Sequence, residues 1–160
     1  MQRSTRISLV VIAVCIIGLV LYFALNRPKP SDSALIAQQI DTAVSGANLG
    51  SPGKILDVVS PNYKDPAGHD KDDLHFVLVR ALTSRNDLNF ALSNLVINVD
   101  GNEATTEADL LVTDRQTKDP IAQRHLNIQW QREPSRKWLI FPDTVWQVTS
   151  SDADFDDPMQ

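Results

Sequence analysis

Residues 94–112 read NLVINVDGNEATTEADLLV, and their pattern decides the fold. Apolar side chains occupy every second position on both sides of Asp100-Gly101, which places them on one face of two β-strands. An Asp-Gly pair between two alternating runs is typical of a tight hairpin turn. The sequence therefore predicts an antiparallel hairpin whose inner face holds Leu95, Ile97 and Val99 on the first strand, and Ala104, Thr106, Ala108, Leu110 and Val112 on the second.

Two further strands follow the hairpin. The third is predicted from about Ile121 to Glu133, and the fourth continues past a bulge at Pro142-Asp143. Their predicted inner-face residues are Ala122, Leu126, Ile128 and Trp130 on the third strand, and Trp138, Ile140, Thr144, Trp146 and Val148 on the fourth.

Three helices are predicted before the hairpin. The first covers Ser33 to Ala47, the second begins after the capping residue Ser51, and the third is capped by His69 or Asp70. Helices followed by a meander of strands indicate an α+β fold, in which a curved four-stranded antiparallel sheet packs on the helices like a cone. The predicted domain covers residues 32–149, and residues 150–160 form an acidic tail expected to be disordered. The apolar helix positions are Ile36, Ile40, Ala43, Val44 and Ala47, then Ile55, Leu56 and Val59, then Leu74, Val77, Leu78, Ala81 and Leu82.

Residues 7–25 read ISLVVIAVCIIGLVLYFAL and contain no charged side chain. A helix of this length spans roughly 28 Å, close to the thickness of the hydrocarbon core of a bilayer. The sequence predicts a short flank at residues 1–6, a single transmembrane helix at residues 7–25 and a Pro-containing linker at residues 26–31. A cleaved signal peptide fits less well, because Ala24 at the cleavage site would place Tyr22 at position −3.

The flanking charges favour one orientation in the membrane. Arg3, Arg6 and the α-amine precede the apolar run, whereas Arg27 and Lys29 follow it. This balance places the N-terminus inside and the domain outside, which is the periplasm if the host is bacterial.

The domain is acidic. All 20 acids and 11 of the 15 Lys and Arg residues fall after residue 30, which gives that part a formal charge of −9. Such a surface repels phosphates, so nucleic acid is not an expected partner. The only cysteine, Cys15, lies in the apolar run, and the domain therefore has no disulfide and no cysteine nucleophile.

The chain resembles the nuclear transport factor two-like superfamily, which includes ketosteroid isomerases and SnoaL-like polyketide cyclases. The resemblance covers about Asp32 to Val148 and rests on element order and three segments: SPNYKDPAG at 60–68, VDGNEA at 99–104 and WLI at 138–140. It implies a cone between sheet and helices, where enzymes of the superfamily use carboxylates, often with a Tyr. The same fold also carries binding modules and scaffolds, so it does not settle function.

Candidate pocket residues follow from strand parity and from the loop before the third helix. Parity directs Thr106, Arg124 and Thr144 inward, whereas Glu107 and Asp109 point outward, so no pair of carboxylates is available in the cone for acid–base catalysis. In the loop, Tyr63 and Asp65 either line the cone mouth or pack and cap locally. The complete set of predicted pocket residues is Tyr63, Asp65, Thr106, Arg124, Trp130, Thr144 and Trp146.

The three histidines do not form a metal motif. His69 and His75 are six residues apart, not four, and His125 lies on the outer strand face. The sequence therefore predicts no metal, no cofactor and no catalytic residue.

Two functions remain open. The first is a non-enzymatic, membrane-tethered interaction domain, with a homodimer or another membrane protein as partner. In this architecture it resembles periplasmic scaffold subunits of type IV secretion systems and accessory membrane proteins of lipid-import complexes. The alternative is a pocket that binds a lipid or isoprenoid, or a SnoaL-like isomerase or hydrolase.

Overall fold

The structure of the protein is a computed structural model that describes Cys15, Ile16, Gly18, Leu19 and residues 30–84, 87–135 and 143–152. The chain divides into two compact units, Met1–Ser31 and Asp32–Gln160. In the first unit the four described residues before Pro30 have helical backbone. Most of the predicted transmembrane segment lies outside the described residues, and none of the helices within them is long and apolar enough to span a membrane.

Three helices open the second unit: α1 (Asp32–Asn48), α2 (Pro52–Leu56) and α3 (Lys71–Ser84). All three lie where the apolar periodicity predicts them. Asp70 caps α3, because its Oδ1 accepts hydrogen bonds from the backbone N–H groups of Asp72 and Asp73 at 2.9 and 3.0 Å. Ser51 precedes α2, but its side chain makes no capping hydrogen bond.

Four antiparallel strands follow: β1 (Leu88–Asp100), β2 (Glu103–Asp114), β3 (Pro120–Ser135) and β4 (Asp143–Ser151). They form one sheet in the order β1-β2-β3-β4, so β1 and β4 are its edges. The predicted α+β class and four-stranded antiparallel sheet are confirmed. The predicted inner positions Trp138 and Ile140, and the bulge residue Pro142, lie outside the described residues.

β1 begins six residues earlier than its predicted start at Asn94. A bulge between Ser93 and Val96 places Asn94 and Leu95 opposite one residue of β2, with Asn94 at a φ of +53°. The bulge shifts the phase of the alternation, so the first half of β1 faces inward at even positions and the second half at odd positions. A single period therefore does not describe the whole strand.

The core lies between the inner face of the sheet and the helices. Ile36 and Ile40 of α1 are buried against Trp130 and Trp146 of the sheet. Ala81 of α3, predicted to face inward, is exposed instead. The stripe of α3 that packs inward is therefore narrower than its apolar sequence suggests.

Candidate functional site

The centre of the inner face of the sheet is filled by the protein's own side chains. Trp130 and Trp146 are each 2% exposed, and Thr106 on the neighbouring strand β2 is fully buried. Ile36 of α1 has no exposed surface and closes the same cluster from the helical side. At the centre of the predicted cone the structure therefore places packed aromatic and aliphatic side chains.

Two polar atoms on this face lack a hydrogen-bond partner among the described residues. They are Oγ1 of Thr106 and Nε1 of Trp130, both buried. Thr106 pairs with Ile128 and Ala104 pairs with Trp130, so the two side chains are diagonal neighbours on one face. A buried polar atom without a partner lowers the free energy of unfolding by about 1–3 kcal/mol, so these two atoms destabilise the inner face.

Trp146 belongs to a cluster that joins α1 to the sheet. Its Nε1 donates a hydrogen bond of 3.1 Å to Oδ1 of Asp32, the first residue of α1. The Arg132 guanidinium forms a salt bridge with the same carboxylate, and its Cζ atom lies 5.0 Å from the centroid of the Trp146 ring. The indole N–H and the carboxylate are thus engaged in contacts within the protein. Trp146 therefore packs as part of the core and does not offer its ring to a ligand.

Tyr63 and Asp65 are both buried, at 3% and 7% exposure. The Asp65 carboxylate accepts hydrogen bonds from the backbone N–H of His69 at 2.8 Å and from its ring Nδ1 at 2.9 Å. Burial alone would raise the pKa of Asp65, but these hydrogen bonds and the nearby imidazole outweigh it and lower that pKa. Asp65 thus caps its own turn and orients His69, and both of its oxygens are engaged.

The Tyr63 hydroxyl lies 2.8 Å from Oγ of Ser151 on β4. Burial raises the pKa of Tyr63, and the neighbouring Asp65 adds to that rise. A phenol with a raised pKa stays protonated at neutral pH, so its contact with β4 ties the loop to the sheet edge and does not supply a base.

A second polar cluster gives no signal in the sequence pattern. Ser60 is fully buried and donates a hydrogen bond of 2.6 Å to Oε1 of Glu133, while its Oγ accepts one from the backbone N–H of Asn62 at 2.9 Å. Lys71 donates to the carbonyl of Val59 at 2.5 Å. Burial lowers the pKa of Lys71, although attraction to Asp57 and Glu133 opposes the change. The cluster fastens residues 57–60 to the start of α3 and to β3, and Glu133 of β3 is 73 positions from Ser60.

Arg124 and Thr144 have the strand parity of the inner face, but both are exposed. Arg124 lies opposite Leu110, and the neighbouring pair of Ala108 and Leu126 is only half-buried on the β3 side. Strand parity determines on which face of the sheet a side chain lies, but it does not determine whether other elements bury that side chain. The structure therefore does not bring these two residues together with Trp130 and Trp146 in one enclosed site.

Glu107 and Asp109 of β2 lie on the outer face, as parity predicts. Glu107 is exposed, and Asp109 accepts hydrogen bonds from Asn94 at 2.7 Å and from the ring of His125 at 2.9 Å. These bonds, Asn94 first, lower the pKa of Asp109, and the same carboxylate raises the pKa of His125. The pair is open to water and faces away from the core.

A cavity of about 250 Å³ lies elsewhere, where α1 ends and β1 begins. The Arg115 guanidinium at its rim already donates from Nη2 to the carbonyls of Asn48 and Leu88 at 2.7 and 3.0 Å. Within the described parts of the chain, no three His, Cys, Asp or Glu side chains are grouped so as to hold a metal ion. None of the predicted pocket residues lines this cavity, whose walls are Ala47, Asn48, Leu49, Gly50, Leu82, Leu88 and Arg115.

Comparison with known proteins identifies the fold. No protein-family model and no curated sequence matches the chain. A protein of unknown function with a cystatin-like fold from Nostoc punctiforme superposes with a TM-score of 0.61 at 14% identity, covering 78% of this chain and 92% of that one. Aln2 from a Streptomyces species gives 0.59 at 9% identity, with coverage of 78% and 90%.

A variant of Rd1NTF2_05 gives a TM-score of 0.53 at 13% identity and covers 75% of this chain and 97% of that one. The chain therefore has the fold shared by nuclear transport factor two-like and cystatin-like proteins. At these identities the likeness extends to the fold alone.

Proposed function

We propose that this protein is a membrane-tethered, non-enzymatic interaction domain that binds its partner through its surface. The observation that carries the proposal is the filled centre of the inner face of the sheet. Trp130, Trp146 and Thr106 leave at most 2% of their surface exposed where a substrate would have to lie. A domain closed in this way offers its outer surfaces, and not a chamber, for recognition.

The positions of the acids support the same reading. General acid–base catalysis needs a titratable group within hydrogen-bonding reach of a bound substrate. Glu107 and Asp109 lie on the outer face, and Asp65 is engaged by His69 through both of its oxygens. The carboxylates considered for catalysis therefore either lie on the outer surface or stabilise the fold through hydrogen bonds.

The tether is supported by the sequence of residues 7–25 and by the helical backbone at Ile16 and Leu19. A linker of six residues at 26–31, if extended at about 3.1 Å per residue, reaches less than about 20 Å. It would hold the domain near the lipid headgroups, on the extracytoplasmic side if the flanking charges set the orientation. Other membrane proteins, or a second copy, are then the nearest partners.

Photo-cross-linking of the full chain in host membranes tests the proposal. A photoreactive phenylalanine analogue is placed in turn at three exposed positions on different surfaces: Phe76 of α3, Val96 of β1 and Glu107 of β2. We expect one of the three to give a discrete cross-linked band and the other two to serve as its controls. If none is captured and the chain sediments as a monomer, the proposal is wrong.

The tether itself is tested by alkaline carbonate extraction of the same membranes. The full chain should stay in the pellet. Val14→Asp with Leu19→Asp should release it, because each acid near the centre of the span costs about 2.5–3.5 kcal/mol of insertion free energy. Release of the unchanged chain would contradict the tether and leave the interaction proposal to stand on the cross-linking alone.

One observation favours a second candidate, a pocket for a lipid or isoprenoid, or a SnoaL-like isomerase or hydrolase. Thr106 Oγ1 and Trp130 Nε1 are buried on the inner face without a partner among the described residues. An apolar ligand carrying a carbonyl or hydroxyl oxygen could accept from both. Native mass spectrometry of the full chain, purified in detergent from its host, would show such a ligand as a retained mass, and the interaction proposal predicts the bare chain.

A further inference from the structure

The two edges of the sheet are covered to different extents. Along β4, residues 58–64 bond to the edge: Val148 exchanges hydrogen bonds with Val58 and Ser60, and the N–H of Lys64 donates to Thr149 at 2.9 Å. Along the first half of β1, the Asn48 side chain bonds to both the N–H and the carbonyl of Phe90, at 2.7 and 2.9 Å. Arg115 adds a bond to the carbonyl of Leu88.

The second half of β1, residues 95–100, is an open edge within the described structure, because its only backbone hydrogen-bond partner there is β2. Leu95, Val96 and Val99 expose 41%, 49% and 39% of their surface. Residues 95–99 carry no charge and no proline, although natural edge strands are commonly guarded by lysine, by proline or by a bulge. The bulge at Asn94 separates this open segment from the first half of β1, where the Asn48 side chain bonds to the backbone.

The two-residue turn fixes which backbone groups face outward. Asp100 pairs with Glu103 across the turn, and hydrogen-bonded pairs alternate with non-bonded pairs along an antiparallel ladder. The pairs at Asp100, Asn98 and Val96 therefore bond to β2. The N–H and carbonyl groups of Val99 and Ile97 face the open edge.

We propose that residues 95–100 of β1 pair antiparallel with the same segment of a second copy, about a two-fold axis at Ile97. This inference rests on the proposed interaction function and names its partner and its surface. In an isologous contact residue i of one copy faces residue j of the other and residue j faces residue i, so each facing pair must be compatible. Ile97 meets Ile97 of the second copy, and Leu95 meets Val99, so the apolar inner faces continue from one sheet to the next.

Charge does not oppose a second copy at this edge, because the register keeps the acids of the two copies apart. The domain carries a formal charge of −9, so most of its surface repels a second copy, but residues 95–99 are neutral. In the Ile97 register Asp100 lies opposite Asn94 and not opposite another acid. The two Asp100 carboxylates are then separated by six residue steps, about 20 Å along the strands.

The register places Val96 opposite Asn98 of the second copy as a pair without backbone hydrogen bonds between them. The Cα atoms of such pairs are about 4.5 Å apart, within the range that a disulfide can bridge. Within one chain these two residues are neighbours on one face, too far apart for a strain-free bond. A double cysteine variant therefore reports on the contact between copies.

The test uses the full chain with Cys15→Ser, in host membranes under mild oxidation. Val96→Cys with Asn98→Cys should give a dimer that reducing agent dissolves. Each single variant should give at least tenfold less dimer, because the residue opposite its cysteine in the second copy is not cysteine, and the two equivalent cysteines lie two residue steps apart along the strands. Adding Val99→Pro, or Val99→Lys if the proline variant fails to fold, should reduce the double variant's dimer by a similar factor.

Thr105→Cys with Glu107→Cys is the matched control, since both residues are exposed on the outer face of the adjacent strand β2. Dimer formed by this pair and not by the β1 pair would overturn the edge contact but leave a surface-binding function in place. Equal dimer from the single and double variants would overturn the register and the inference with it. If no pair reacts and photo-cross-linking captures nothing, both the inference and the proposed function are wrong.

Discussion

Ser60→Ala removes the centre of the buried cluster that fastens residues 57–60 to the sheet. The Ser60 hydroxyl is fully buried and donates to Glu133 at 2.6 Å, and its oxygen also accepts from the N–H of Asn62. A hydrogen bond to a charged group contributes about 1.5–3 kcal/mol, and the half-buried carboxylate would lose it without replacement. We therefore expect the free energy of unfolding to fall by about 2–3 kcal/mol.

Urea unfolding of the unit Asp32–Gln160, followed by tryptophan fluorescence, measures the change. Ser93→Ala is the matched control, because Ser93 is exposed and its hydroxyl reaches a carbonyl only at 3.5 Å. Its effect should stay within about 0.5 kcal/mol. A double-mutant cycle of Ser60→Ala with Glu133→Ala should give a coupling of about 1–2 kcal/mol. Loss of less than 0.5 kcal/mol in Ser60→Ala, or a coupling near zero, would refute the cluster as a fastening.

Three further changes test other parts of the structure. Thr106→Val should raise the free energy of unfolding by about 1 kcal/mol, since it replaces an unpartnered buried hydroxyl by a methyl group; destabilisation in urea would show that the hydroxyl has a partner. Asn48→Ala should lower it by about 1–3 kcal/mol by uncovering both backbone groups of Phe90, and faster hydrogen exchange at that amide would locate the loss. Asp109→Asn should lower the pKa of His125 in an NMR titration, and an unchanged pKa would disprove the pairing. Because the pKa of His125 is raised in the folded state, the stabilisation that the pair provides is present below the unfolded pKa. It is lost as pH rises through the folded pKa.

The sequence predicts much of the fold because local periodicity and burial agree over long stretches. The inner positions of β2 alternate from Ala104 to Val112, and they are buried on one face except for Leu110, which is half-buried. The start of β1 is missed for a definite reason. Its alternation before Ser93 is out of phase with that after the bulge, and a bulge has no reliable signature in a single sequence.

The candidate site is less predictable than the fold. Parity assigns Arg124 and Thr144 to the correct face, but whether helices cover that part of the sheet depends on tertiary packing, and both residues are exposed. The bond between Ser60 and Glu133 joins residues 73 positions apart, so no local pattern reveals it. Asp65 is foreseeable as a turn cap, because an Asp side chain in a loop commonly bonds to a backbone N–H a few residues on.

Overpacking of the inner face at Ala104 tests most directly whether the cone is closed. Ala104 is 4% exposed and lies opposite Trp130 within the core cluster. Ala104→Leu should lower the free energy of unfolding in urea by about 1–3 kcal/mol, because a filled interior has no room for three more carbon atoms. An unchanged or increased stability would mean that an open chamber lies beside Trp130, and binding within the cone would then replace surface interaction as the explanation of this domain.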